Sequence, residues 1–184
     1  MSTKFFSTKK MVTIAVLSAL ATIVMFFEFP VLPTAPFLKV DFSDVITIVG
    51  GISFGPIGGT LIAFIRSIAN WLIKGSGVIG LVGNFSGFLG SLAIMLPIVL
   101  IKSNRKIIKA IISIISLTVV SALVNYFFLM PIYMNLAGMN INMPLSQYIL
   151  TIVIPFNLIK GFLVTAVTWV VYQRLADFLK RQSF

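Results

Sequence analysis

The last long apolar stretch of the chain, Gln147 to Trp169, carries an asparagine and a lysine three residues apart: Asn157 and Lys160, in the run Pro155-Phe156-Asn157-Leu158-Ile159-Lys160-Gly161. Three residues of α-helix advance ~4.5 Å and leave the two side chains ~60° apart, so one helical face carries both an amide and an ammonium. A lysine in the middle of an apolar helix costs ~2.5–3.5 kcal/mol on insertion scales, and it faces the protein interior, a water-filled cavity or a bound molecule rather than lipid. The pair is therefore a site by default. The alternative is a lysine that snorkels or hydrogen-bonds to neighbouring backbone carbonyls. Other chemistries are excluded by composition. Without Cys or His there are no disulfides, thiol nucleophiles, thiolate or histidine metal sites, Ser-His-Asp constellation or histidine pH switch. No G-x-x-x-x-G-K-[ST] occurs, so energy for any transport must come from an ion gradient or from partners.

The chain of 184 residues is 59% hydrophobic and 10% charged. Its mean hydropathy of +1.10 marks an integral membrane protein. Its uncharged runs allow five or six spans of ~20 residues, continuous rather than alternating, which predicts a single all-α membrane-embedded domain over residues 1–184 and excludes a β-barrel. The net charge of +10 would suggest nucleic acid in a soluble protein, but these charges sit between and beyond the apolar runs, so no nucleic-acid partner is expected. They fit orientation in a lipid bilayer instead.

The elements that must position the polar pair follow in order. Met11 to Phe29 is one membrane-length run; Ala19-Leu20-Ala21 mimics a signal-peptide cleavage site, but the run continues well past it. Its Ala15 and Ala19 are small residues at i and i+4, a ridge that lets another helix approach closely, and Ser18 and Thr22 make a second such pair. Pro30, Pro33 and Pro36 break the helix and favour an extended, ordered loop, flanked by the acids Glu28, Asp41 and Asp44. Asp41, Ser43 or Asp44 is expected as an N-cap or first-turn acid of the next helix.

Val45 to Trp71 is too long for one ordinary helix and too short for two full ones, and parity decides its count. The positive-inside rule puts Lys102, Arg105, Lys106 and Lys109 on the same side as Lys4, Lys9 and Lys10, so an even number of crossings separates them. The first run and Val78 to Ile101 supply two. The segment between is then a hairpin turning at Gly55-Pro56 or a re-entrant excursion, and the hairpin is favoured, with Arg66 in its second limb as a structural interhelical pair or a snorkelling arginine. Gly80, Gly83, Gly87 and Gly90 give the fourth helix a glycine face suited either to helix packing or to the close approach of a flat ligand. A fifth helix from about Ile108 to Met130, an external loop Pro131 to Ser146 and a sixth helix from Gln147 to about Leu175 complete an architecture of six transmembrane helices with both termini cytoplasmic. All basic residues but Lys39, Arg66, Lys74 and Lys160 then lie inside.

This topology gathers Asn84, Asn125 and Asn157 in the outer half of the membrane, with Lys160 one turn deeper and the proline-rich loop above. The resulting pocket would hold three amides, an ammonium, the loop acids and the aromatic candidates Phe37, Phe42, Tyr126 and Tyr148, and it suits a small, flat, polar-edged molecule better than a bare ion. Each Asn alone is more often an interhelical hydrogen bond.

Three segments carry a resemblance: the helix with Ala15 and Ala19, the run Pro36-Phe37-Leu38-Lys39-Val40-Asp41-Phe42-Ser43-Asp44 with the Gly-Pro segment after it, and Pro155 to Gly161. Over essentially its whole length the chain resembles the riboflavin-specific S component of the energy-coupling factor (ECF) vitamin transporters. That resemblance implies a multi-pass plasma-membrane subunit of the S-component fold. It binds riboflavin as transported substrate, with no cofactor, no metal and no catalytic residue, and it works with a transmembrane coupling subunit and two ATP-binding subunits. It further implies a lid of Leu38, Lys39, Val40, Asp41 and Phe42, ligand contacts from Asn84, Asn125, Tyr126, Asn157 and Lys160, and docking of the coupling subunit on Ala15 and Ala19. The chain departs from the family pattern at Val45-Ile46, where a proline often follows the second loop Asp. A membrane enzyme using Asp41 and Asp44 lacks a second conventional catalytic group, and an ion-coupled transporter would want a mid-helix carboxylate.

Overall fold

The computed structural model describes residues 7–33, 35, 38–103 and 105–181, with side chains to residue 174; Pro36 of the loop motif and Phe37, an expected aromatic of the pocket, lie outside them. Helix α1, Thr8–Met25, starts where the Ser7 side chain accepts the Lys10 amide. It packs through Ile14, Ser18, Ala21 and Thr22, the serine and threonine hydroxyls donating to the carbonyls of Ile14 and Ser18 at 2.7 and 2.8 Å. Ala15 and Ala19 lie on its exposed face. Beyond α1 the proline-rich segment forms a two-stranded antiparallel ribbon, β1 Phe29–Pro30 with β2 Lys39–Val40, pairing Phe29 with Val40 and Pro30 with Lys39.

Helix α2, Ser43–Lys74, reverses direction at Gly55, whose φ of 83° only glycine adopts cheaply. Pro56 follows, in a position that favours the start of a new helix. Contacts across the reversal are close: a Cβ on Gly59 would come within 2.9 Å of the Gly51 Cα, and the side chains of Asp44 and Arg66 meet at 2.6 Å. In a straight helix those pairs would be ~12 Å and ~33 Å apart. The chain reverses at Gly55-Pro56, as both a two-crossing hairpin and a re-entrant excursion require, and the first limb spans only ~18 Å at 1.5 Å per residue.

Helix α3 is Gly77–Leu100 and helix α4 is Lys106–Val124. After α4 a π-helical turn, Asn125–Leu129, leads without a break into α5, Met130–Leu136. A short α6, Leu145–Tyr148, passes through a second π turn, Ile149–Val153, into α7, Ile154–Arg181. The segment expected as a loop from Pro131 therefore stays helical to Leu136, a correction with a local cause. Proline lacks an N–H and clashes with the preceding turn, and widening that turn accommodates it, with the Met130 and Ile154 amides reaching back to Asn125 and Ile149 just before Pro131 and Pro155.

Among the described residues, five helical segments are long and apolar enough to cross a membrane: Thr8–Met25, Ser43–Lys74, Gly77–Leu100, Lys106–Leu136 and Leu145–Arg174. The central core joins α2, α3, α4 and α7 through Val45, Ile48, Ile94, Met95, Leu117 and Val164. A second cluster, Met130, Tyr148, Ile149 and Val153, closes the bundle beside the two π turns. One end of the bundle thus carries the β-ribbon, the start of α2 and the loop before α6. The Gly55 turn and the connection from α3 to α4 lie at the other.

Candidate functional site

At the ribbon end a cavity of about 430 Å³ opens between α2, α3, the Asn125–Leu129 turn and α7. Its volume falls within the ~300–1,000 Å³ typical of small-molecule sites. Of the residues singled out in the sequence, Leu38, Lys39, Asp41, Asn84, Asn125, Tyr148, Asn157 and Lys160 line it. Val40, Phe42 and Tyr126 do not. Val40, within the ribbon, is fully buried, Phe42 packs on Phe29 with ring centroids 5.9 Å apart, and Tyr126 is 40% exposed beside Phe127.

One wall is the glycine face of α3. Gly80, Gly83, Gly87 and Gly90 all line the cavity, and a Cβ on Gly87 would meet nothing within 4 Å. The face serves both uses: Gly87 opens to the cavity, whereas a Cβ on Gly83 would come within 2.6 Å of the Tyr133 hydroxyl of α5 and one on Gly90 within 3.4 Å of Leu117 of α4. Opposite stand apolar side chains, among them Leu117, Met130, Met139 and Phe156.

The amides share one arrangement. Asn84, Asn125 and Asn157 each donate Nδ2 to the carbonyl one turn back, of Gly80, Ser121 and Val153, at 2.8–2.9 Å. A backbone carbonyl only accepts, so each Oδ1 is turned away from its own helix as an acceptor. Among the described residues, Oδ1 of Asn84 and Asn125, Nδ2 of Asn70 and the Tyr148 hydroxyl are buried without a partner in the protein. A buried polar atom left unpaired costs ~1–3 kcal/mol, so such a group lining a cavity marks a place for a complementary ligand.

Beneath them lies a charge cluster that the sequence did not disclose. Asp44, fully buried in the first turn of α2, accepts from Arg66 and Ser91 at 2.6 Å each through Oδ1, and its Oδ2 pairs with Lys160 Nζ at 3.0 Å. Arg66 also donates to Ser91 and lies 3.8 Å from Asp41. Asp41 in turn accepts the amide of Ser43 at 2.8 Å and its hydroxyl; the N-cap of α2 is Phe42 without a side-chain cap, and the expected first-turn acid is Asp44. Two carboxylates and two cations sum to zero, which is how charge survives burial. Lys160 is therefore both an ion-pair member and a cavity wall, with N–H donors beyond the one directed at Asp44. Arg66 is the structural interhelical pair.

At the mouth, Glu28 bridges Lys39 of β2 at 3.0 Å and Lys74 at the end of α2 at 3.2 Å, tying the ribbon to the bundle. Burial pushes the Glu28 carboxyl up, but hydrogen bonds and attraction from the two ammoniums outweigh it and hold it below its ordinary value.

With this geometry in view, the relatives are informative. The family model for the ECF transporter substrate-specific component matches residues 9–172. The chain belongs to that family. As an S component it is part of a membrane transporter rather than an enzyme. It is 36% identical to the riboflavin transporter RibU of Staphylococcus aureus, covering 94% of this chain and 93% of that protein. Its identity to RibU of Streptococcus thermophilus is 31%, over 94% and 85%. The solved S component of a bacterial ECF transporter superposes with a TM-score of 0.79 at 35% identity, over 94% of this chain and 98% of the other.

Asn70, Ser91, Tyr133 and the acid–base pairing of this S component went unnoticed in the sequence. The single usable signal for them was the isolation of Arg66 and Lys160 in apolar runs, which demands buried counter-charges.

Proposed function

We propose that this protein is the riboflavin-binding subunit of an ECF-type importer, taking the vitamin from outside the cell and delivering it inward with ATP-driven partners. The observation that carries the reading is the cavity itself, where a flat glycine wall, apolar side chains and inward-turned amide oxygens meet above a charge cluster summing to zero. Riboflavin has matching parts: a flat, largely apolar isoalloxazine ring, a pyrimidine edge of donors and acceptors, and a ribityl chain of hydroxyls, with no net charge. The names borne by the RibU relatives support the same ligand.

In this reading the ring lies along the glycine wall of α3. Asn157 and Lys160 take the pyrimidine edge or ribityl oxygens, Asn84 and Asn125 supply further hydrogen bonds, and Leu38 to Phe42 form the lid. Binding a flavin for import needs no redox step, so no catalytic group is required. The ribbon end faces outward, both halves of the α2 hairpin cross the membrane, and both termini lie inside with the basic connection before α4.

The partners are a transmembrane coupling subunit and two ATP-binding subunits. Ala15 and Ala19, exposed on α1 away from its packed face, offer a small-residue ridge for the coupling subunit. Ala15→Trp should abolish uptake and co-purification with the partners while flavin binding to the isolated subunit is unchanged; loss of binding as well would assign the ridge to the fold. For the ligand itself the test is colour. Protein purified in mild detergent should carry a flavin absorption spectrum that survives washing, whereas colourless protein that takes up no added riboflavin would end this reading.

A further inference from the structure

A second cavity, of about 630 Å³, lies at the opposite end of the bundle, between the Gly55 turn, the end of α3, the start of α4 and the last turns of α7. Its chemistry differs from that of the ribbon-end cavity. Lys106 and Lys109 line it, and among the described residues no carboxylate does. Helix α4 begins at its wall with no side-chain cap, so the first amides of that helix lack intrahelical partners and carry the positive end of its dipole. A second, independent feature points the same way. Thr168 lines this cavity, is 6% exposed, and its hydroxyl is buried without a partner, whereas neighbouring Thr165 donates to the carbonyl of Gly161 at 2.7 Å. Lysines, free helix amides and an unused hydroxyl are the donor set that holds phosphate oxygens.

The rest of the wall says what the phosphate is attached to. Ile52, Ile98 and Val99 are apolar, and Trp169 and Tyr172 stand at the end of the apolar run of α7, the level at which aromatic rings mark a membrane interface. Lys106 lies over the Trp169 ring with its nitrogen 4.7 Å from the centroid, held at the rim of the cavity. Basic pockets between membrane helices on the cytoplasmic side are places where anionic headgroups bind.

We propose that this cavity is a binding site for the phosphodiester headgroup of an anionic phospholipid. The phosphate sits between Lys106, Thr168 and the α4 amides, and the glycerol and first acyl carbons lie against Ile52, Ile98 and Trp169. Lys109 has a structural part, since its Nζ also donates to the carbonyl of Ile98 at 3.3 Å at the end of α3.

The test uses the purified full chain in mild detergent, titrated with phosphatidylglycerol or phosphatidylcholine and read by native mass spectrometry, with riboflavin absorbance recorded on the same samples. The site predicts retention of one phosphatidylglycerol well beyond phosphatidylcholine. Lys106→Gln should weaken that retention about fivefold, the worth of one lysine near an anionic headgroup. Thr168→Val, which keeps shape and removes only the hydroxyl, should weaken it about threefold to tenfold. Riboflavin binding should not change in either variant, so failure here is distinguishable from failure of the riboflavin reading. Equal retention of the two lipids, or undiminished retention in Thr168→Val, would overturn the proposal. Displacement of the lipid by millimolar inorganic phosphate would assign the cavity to a free phosphate and overturn the lipid reading.

Discussion

The two ends of the bundle handle cations in opposite ways. At the ribbon end the cations are answered: Asp44 takes the largely buried Lys160 and Arg66, Asp41 stands beside Arg66, and at the exposed mouth Glu28 bridges Lys39 and Lys74. At the Gly55 end Lys106 and Lys109 line a cavity with no carboxylate among its described residues. Where the four largely buried charges Asp41, Asp44, Arg66 and Lys160 cancel at the cavity floor, selection there falls to shape and hydrogen bonds and suits an uncharged molecule, whereas a cavity lined by ammoniums without carboxylates selects for negative charge. One small chain thus holds two surfaces of different selectivity, separated by the core of Ile48, Ile94 and Val164.

The sharpest way to break this contrast is to strand the cations at the ribbon end. Asp44→Ala leaves Lys160 and Arg66 without their shared carboxylate, and breaking a buried pair from one side costs ~3–5 kcal/mol. Thermal unfolding in detergent should show a large drop in midpoint, while Lys106→Gln at the other end should leave it within error. An unchanged midpoint in Asp44→Ala would mean the cluster is solvated and the contrast is false.

The next effect separates binding from folding on one helical face. Asn157→Ala should weaken riboflavin binding about five- to a hundred-fold, the loss of a hydrogen bond to a buried polar ligand, with folded yield intact. Lys160→Ala should weaken binding and also lower the unfolding midpoint, because Asp44 loses a partner. Equal stability in the two variants would show that the Lys160 pair contributes nothing to the fold.

The smallest effect lies at the mouth. Exposed ion pairs are worth ~0.2–1 kcal/mol, so Glu28→Gln should speed riboflavin release only about two- to fivefold, read by stopped-flow fluorescence. The pH dependence has a definite sign. Because the Glu28 carboxyl lies below its ordinary value of 4.5 in the folded protein, the bridge is fully present at neutral pH and is lost as pH falls below that value. Acceleration of release between pH 8 and 6 would contradict it.

Much of this architecture was legible in residue types. Gly55-Pro56 disclosed the reversal within α2, and the isolation of Asn157 and Lys160 in an apolar run disclosed a cavity wall. What stayed hidden was pairing across distance. Asp44 reads as a first-turn acid, and only the fold brings it to Arg66 and Lys160, whose own sequence positions carry no mark of a common partner. Pro131 reads as a helix stop, because local chemistry cannot announce that a π turn at Asn125–Leu129 will absorb it. The glycine face of α3 was ambiguous for a related reason: helix packing and ligand approach both require the missing Cβ, and only the neighbours decide between them.

The central claim, that riboflavin occupies the ribbon-end cavity along that glycine face, is tested most directly by titrating riboflavin fluorescence against wild-type protein and Gly87→Leu. A Cβ at Gly87 meets no protein atom within 4 Å, so the position has room to start a side chain that reaches into the space against the wall, and circular dichroism selects folded variant for the titration. The account predicts quenching at one riboflavin per wild-type chain and none with folded Gly87→Leu. Equal quenching by the two proteins, or none by either, would contradict it.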